Sequence, residues 1–162
     1  KSVEMSKDYY VVTLYNDAKR NQYAYIDDSD LFGEKVIYLE RDDRDAATEA
    51  DYVMVDFFLE WSPVMTNEDV YVMGAITDWN FDEKNKMTYD FERKGYALSL
   101  LLKQGYYDYI YAVKEKTQSV ADVSVVAGDF WETKNEYTIY LYLFDPTQNY
   151  DQLIGVTTVL SH

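Results

Sequence analysis

The chain has 162 residues, room for one sandwich-sized domain with a smaller companion or for two compact units. Its formal net charge of −15 argues against binding phosphate backbones or anionic lipid through a basic patch. The lack of cysteine removes disulfides, thiol chemistry and zinc–thiolate sites, and fits either cytoplasm or periplasm. Eighteen Tyr, 7 Phe and 3 Trp stand against 6 Gly and 2 Pro, which suits an ordered β protein, since aromatic side chains fit the half-buried pleated face of a sheet.

In chain order, the strand signals begin with Tyr10 to Tyr15, a β-rich run closed by Asn16 and Asp17. Gln22 to Ile26 alternates and ends in the acidic cluster Asp27–Asp28–Ser29–Asp30, and Lys35 to Leu39 follows a turn at Gly33. A charged connector, Glu40 to Glu49, is the best candidate boundary between units. Residues 1–48 thus read as an N-terminal β segment, either the end of a preceding domain or an extension packed against the next. Residues 49–162 read as a sandwich.

Beyond the connector the pattern is denser. Tyr52 to Leu59 is a long strand, and Pro63 and Asn67 to Asp69 turn the chain into Val70 to Ala75. Met87 to Phe91 is short and alternating, Tyr96 to Leu102 follows Gly95, and Tyr106 to Val113 follows Gly105. Lys114 to Val126 has helix formers at its start and stays open; Glu136 to Phe144 and Leu153 to Leu160 complete the set, with a turn at Pro146 to Asn149. Short strands at regular spacing with polar turns predict an all-β sandwich or barrel, and no segment sustains a helical period over three turns. No apolar run approaches the ~20 residues that span a bilayer as a helix. The chain begins at Lys1 without a hydrophobic leader, which reads as a processed or excised protein.

The residues that usually carry catalysis are scarce. The one histidine is His162, so nucleophile–base pairs and histidine metal sites cannot be built inside the chain. Carboxylates abound, but none sits in a diagnostic motif, and the expectation is a non-enzyme without cofactor. The clusters Asp27 to Asp30 and Asp42 to Asp45 lack the glycine-and-glutamate spacing of a calcium loop, so they read as polar loop surface and no metal is expected. Tyrosine offers a better lead. Alternation puts Tyr107, Tyr109 and Tyr111 on one strand face, and Tyr140 and Tyr142 opposite Ile139, Leu141 and Leu143. With the aliphatic face as core, both tyrosine rows point outward, either as a protein-contact face or as cross-strand pairs stabilising an exposed sheet.

Two resemblances add to this reading. The string Val70 to Asn80 resembles the opening hairpin of starch- and glycogen-binding modules, which share a strand, Gly, a small residue, two polar residues, Trp and Asn, and later a Gly before an aromatic strand, here Gly105 to Val113. The resemblance implies an early-set, immunoglobulin-like β-sandwich and an α-glucan site in which Trp79 stacks on a sugar ring beside Asp78 and Asn80. Ile110 stands where those modules carry a sugar-contacting lysine. Trp79 has a structural reading as well, as a corner plug of the fold.

The second resemblance covers nearly the whole chain. The strings Glu49 to Tyr52, Val70 to Gly74, Met87 to Tyr89, Leu100 to Tyr109, Glu132 to Tyr137 and Tyr150 to Val156 are similar to the C-terminal part of the type IX secretion plug proteins of Bacteroidetes. This implies a non-catalytic binding module of a cell-envelope protein, periplasmic or outer-membrane associated, whose partner is the outer-membrane translocon. It carries no catalytic residues. The fold expected is an all-β, immunoglobulin-like sandwich with an N-terminal β extension.

Overall fold

In the computed structural model, the described residues are 1–6, 9–20, 31–39, 45–130 and 132–161. The expected strand Gln22 to Ile26, the cluster Asp27 to Asp30, most of Asp42 to Asp45, and His162 lie outside them. The chain is an all-β sandwich protein, as its sequence predicts, and divides into two compact units.

Among the described residues the first unit holds three sheets. Strands β1 (Ser2–Met5), β2 (Tyr10–Thr13), β4 (Tyr52–Glu60), β6 (Thr88–Asp90) and β7 (Gly95–Lys103) form a five-stranded sheet in the order β1-β2-β4-β7-β6. Strand β5 (Glu68–Met73) pairs with β9 (Ile110–Glu115), and β3 (Lys35–Ile37) pairs with β8 (Gly105–Tyr107). Two one-turn helices, α1 (Ala46–Glu49) and α2 (Ser124–Ala127), complete the unit. Pairing is antiparallel except between β2 and β4, where Tyr10 lies opposite Val53 and Thr13 opposite Asp56 in parallel.

Alternation along β4 decides the layering. Phe57 and Leu59 point to one side, where they meet Tyr96 of β7, Val70 and Val72 of β5, and Tyr111 and Val113 of β9 in one buried cluster. That cluster is the space between the two layers of the sandwich. On the other side of β4, Phe58 is also buried, covered by the guanidinium of Arg93, 3.7 Å from the ring centroid. The second face of β5 and β9 is filled in turn: Tyr71, Met73 and Ala112 are buried with Phe81 and Ile110 packed against them.

Of residues 1–48, β1 and β2 prolong the five-stranded sheet and β3 pairs with β8. The second unit begins at Phe130 and contains β10 (Glu136–Asp145) and β11 (Tyr150–Leu160), an antiparallel ribbon. At the described end of the connector the Asp45 side chain accepts from the Ala47 amide, 3.0 Å, and caps the start of α1.

Candidate binding surfaces

Gly74 ends β5, and a 3₁₀ turn, Ala75–Thr77, leads to Asp78 and Trp79, both with left-handed backbone, φ +49° and +57°. Two successive non-glycine residues in that region are held only by strong local ties. Those ties come from Asn85, which is 2% exposed and uses its whole amide. Its Nδ2 donates to the carbonyls of Val72 (2.9 Å) and Asn80 (2.8 Å), and its Oδ1 accepts from the Asp82 amide (2.8 Å). Lys35 Nζ donates to the Ala75 carbonyl at 2.7 Å and lies 3.7 Å from Asp78 Oδ1. Trp79 therefore stands in a fixed loop, yet it is 53% exposed. Its indole lies against Gly33, where a Cβ would sit 2.7 Å from Cζ2.

The indole borders a cavity of about 570 Å³ in the first unit. Met73, Tyr107, Ile110 and Val126 give it apolar walls, and Asp17 and Arg20 give it a carboxylate and a guanidinium. Asp17 Oδ2 accepts from the hydroxyls of Tyr109 at 2.8 Å and Tyr111 at 2.7 Å. Burial, reinforced by these bonds to a carboxylate, pushes both tyrosine pKa values well above the ordinary value of 10. Asp108, between β8 and β9, accepts from the amides of Leu31 and Gly33 and so fixes the stretch on which Trp79 rests.

Trp79 and the row Tyr107, Tyr109, Tyr111 thus border one cavity, but the row does not face outward. Tyr111 is 5% exposed and belongs to the sandwich core, Tyr109 is partly buried against that core, and Tyr107 is partly buried with its hydroxyl donating to the Lys103 carbonyl, 2.6 Å. The outward-face expectation fails because Asp108 and Tyr109 break the strand: β8 and β9 belong to different sheets, so alternation does not carry through. Asp78 and Asn80 are exposed beside Trp79, as the sugar-site pattern requires. Asp17, Arg20, Asp108 and Asn85 were missed by the sequence reading; Asp17 looked like a turn residue and Asn85 carried no signal at all.

The other surface is the ribbon of the second unit. From Tyr137 to Phe144 and from Gln152 to Leu160 the sequence contains no charged residue, in a chain that is 28% charged. Register places Tyr140, Tyr142 and Phe144 on one face with Val156 and Leu153 paired to the first two, and Ile139, Leu141 and Leu143 on the other. Tyr140 and Tyr142 are each 56% exposed, so this row does face outward. The aliphatic face is not core as expected: Ile139, Leu141 and Leu143 are 53–58% exposed. A two-stranded ribbon has no second layer of its own with which to bury either face. Among the described residues no group of three or more His, Cys, Asp or Glu could hold a metal ion, and no helix is long and apolar enough to cross a membrane.

No family model matches the chain, and no curated protein matches it. Among solved structures it is similar to the crystal structure of a hypothetical protein from Parabacteroides merdae, at 38% sequence identity and a TM-score of 0.87. The match covers 99% of this chain and 40% of that one, so this chain spans two-fifths of the length of the protein it resembles.

Proposed function

We propose that this chain is a non-catalytic docking module of a cell-envelope protein, the C-terminal part of a type IX secretion plug protein that meets the outer-membrane translocon from the periplasmic side. The observation that carries this reading is the tyrosine face of the ribbon. Tyr140, Tyr142 and Phe144 stand half-exposed on a strand with no charge between Tyr137 and Phe144. Large aromatic rings with polar tips, uncharged surroundings and low side-chain entropy are what protein interfaces select at their centres. The resemblance quoted above supplies the partner; the similar solved structure comes from a Bacteroidetes species. The test is binding of the purified chain to immobilised, detergent-solubilised translocon. Double substitution Tyr140→Ser and Tyr142→Ser should weaken binding about tenfold or more. No binding by the unaltered chain at micromolar concentration sinks the reading.

A second reading is favoured by the cavity. Trp79 offers a stacking face at its edge, Asp17 an acceptor and Arg20 a donor, the combination that suits a saccharide ring. Titration with α-glucan oligosaccharides, followed by the emission of Trp79, tests it. A saturating change that Trp79→Ala abolishes supports glycan binding, and a flat response rejects it.

A further inference from the structure

The tyrosine face leaves the opposite face of the ribbon unaccounted for. That face carries Tyr137, Ile139, Leu141 and Leu143 from β10, and Val159, Thr157, Gly155 and Gln152 opposite them on β11. It has no charge and few polar groups, and in water it is a large exposed apolar patch.

Gly155 sits in the middle of it, directly paired with Leu141. It lies next to the register shift between Leu141 and Tyr142, but neither a positive φ nor a steric clash requires a glycine there. Its backbone is not among the positive-φ glycines, and an added Cβ would meet only the Leu141 Cβ at 3.7 Å, an ordinary contact. Glycine inside a strand weakens it and marks places where another chain comes close. Here it leaves a hollow beside the projecting side chain of Leu141, a knob and a hole side by side on one flat face.

We propose that this face is the contact surface for a second copy of this chain, with Leu141 of each copy seated in the hollow at Gly155 of the other. A two-fold interface needs such self-complementarity, since each residue pair occurs twice with roles exchanged. Tyr137, Ile139, Leu141, Leu143 and Val159 are about half-exposed. At on the order of 100 Å² each they supply about 500 Å², and the flanking Thr157 and Gln152 bring the face toward the roughly 800 Å² that one partner gives a stable interface. Two stacked ribbons become a two-layer, four-stranded sandwich, the smallest arrangement in which the aliphatic face is dry. Charge narrows the choice further. Two chains of net charge −15 repel through most of their surface, and the stretches Tyr137 to Phe144 and Gln152 to Leu160 are an uncharged zone where they can meet. A mainly aliphatic face suits a permanent like-with-like contact, and the tyrosine face suits a separate partner.

Sedimentation velocity on the full chain, across a concentration series and at rising salt, tests this. A dimer that strengthens with salt is expected, because screening removes the acidic repulsion and leaves the apolar contact intact. Leu141→Asp should shift the chain to monomer. Gly155→Val, whose Cβ the ribbon has room for, should weaken dimerisation about tenfold or more while far-UV circular dichroism stays unchanged; Gly155→Ala gives a milder version should either variant misfold. Tyr140→Ser with Tyr142→Ser should leave the dimer intact, which separates this proposal from the docking reading on the opposite face. A chain that stays monomeric throughout, a dimer indifferent to Gly155→Val and Gly155→Ala, or one that weakens with salt overturns it.

Discussion

Asp17 and Tyr111 lie 94 positions apart in sequence and are joined by a 2.7 Å hydrogen bond, the tyrosine hydroxyl donating to Oδ2. The same oxygen accepts from Tyr109. A residue at the end of the N-terminal segment is thereby fixed to the strand that fills the sandwich core. Asp17→Ala leaves two partly buried hydroxyls without their acceptor and should lower stability by about 1–3 kcal/mol, read from urea unfolding. An unchanged midpoint would mean that water takes over both bonds.

Alkaline pH acts on the same cluster. In the folded state burial raises the pKa of Tyr109 and Tyr111 above the ordinary value, so their protonated forms are favoured by folding. That stability is fully present below pH 10 and is lost as pH rises beyond it, because the unfolded chain releases these protons more readily. Absorbance titration at 295 nm follows tyrosine ionisation as pH rises. A last fraction should appear together with loss of near-ultraviolet circular dichroism. Reversible ionisation of every tyrosine in the folded protein contradicts the assignment.

Trp79 rests on a glycine, and the glycine is replaceable only at the expense of the indole. Gly33→Ala places a methyl 2.7 Å from Cζ2 in a backbone with φ +81°, so the ring must swing away. Acrylamide quenching of the Trp79 emission, with Trp79→Phe as the blank, should increase in the variant. Equal quenching would show that the indole does not lie on Gly33 in solution.

Leu59 is fully buried between the layers, in contact with side chains from both sheets. Leu59→Ala should cost about 2–5 kcal/mol, the range for a core leucine whose cavity cannot collapse. Thermal or urea unfolding checks it; a loss below 1 kcal/mol would point to a sandwich that repacks freely.

Most of the fold was legible in the sequence. The runs at Tyr52, Val70, Tyr96 and Glu136 are β4, β5, β7 and β10 within a residue or two, because strand-rich runs between turn residues leave little else to form. What alternation could not settle was which face is inside. Both faces of β5 and β9 are buried, by Val70, Val72, Tyr111 and Val113 on one side and by Tyr71, Met73 and Ala112 on the other. A rule that assigns one face to solvent has no purchase on such a strand. In the ribbon the opposite holds: both faces are exposed, and alternation alone assigns the aliphatic side to a core that is not there. The cavity eluded sequence reading for a different reason. Asp17, Gly33, Trp79 and Tyr107 come from four separate stretches, and only the tertiary fold brings them to one place.

The parallel pairing of β2 with β4 has a mechanical side. Residues Tyr10 to Thr13 run alongside Val53 to Asp56 in the same direction, and Asp17 continues the contact by donating to the Phe58 carbonyl and accepting from the Glu60 amide. A pull on the N-terminal end of β2, resisted at the far end of β4, loads all of these bonds at once along their length. They must give way together rather than one after another. Strand β2 is therefore anchored in shear, a geometry suited to bearing tension along the strand.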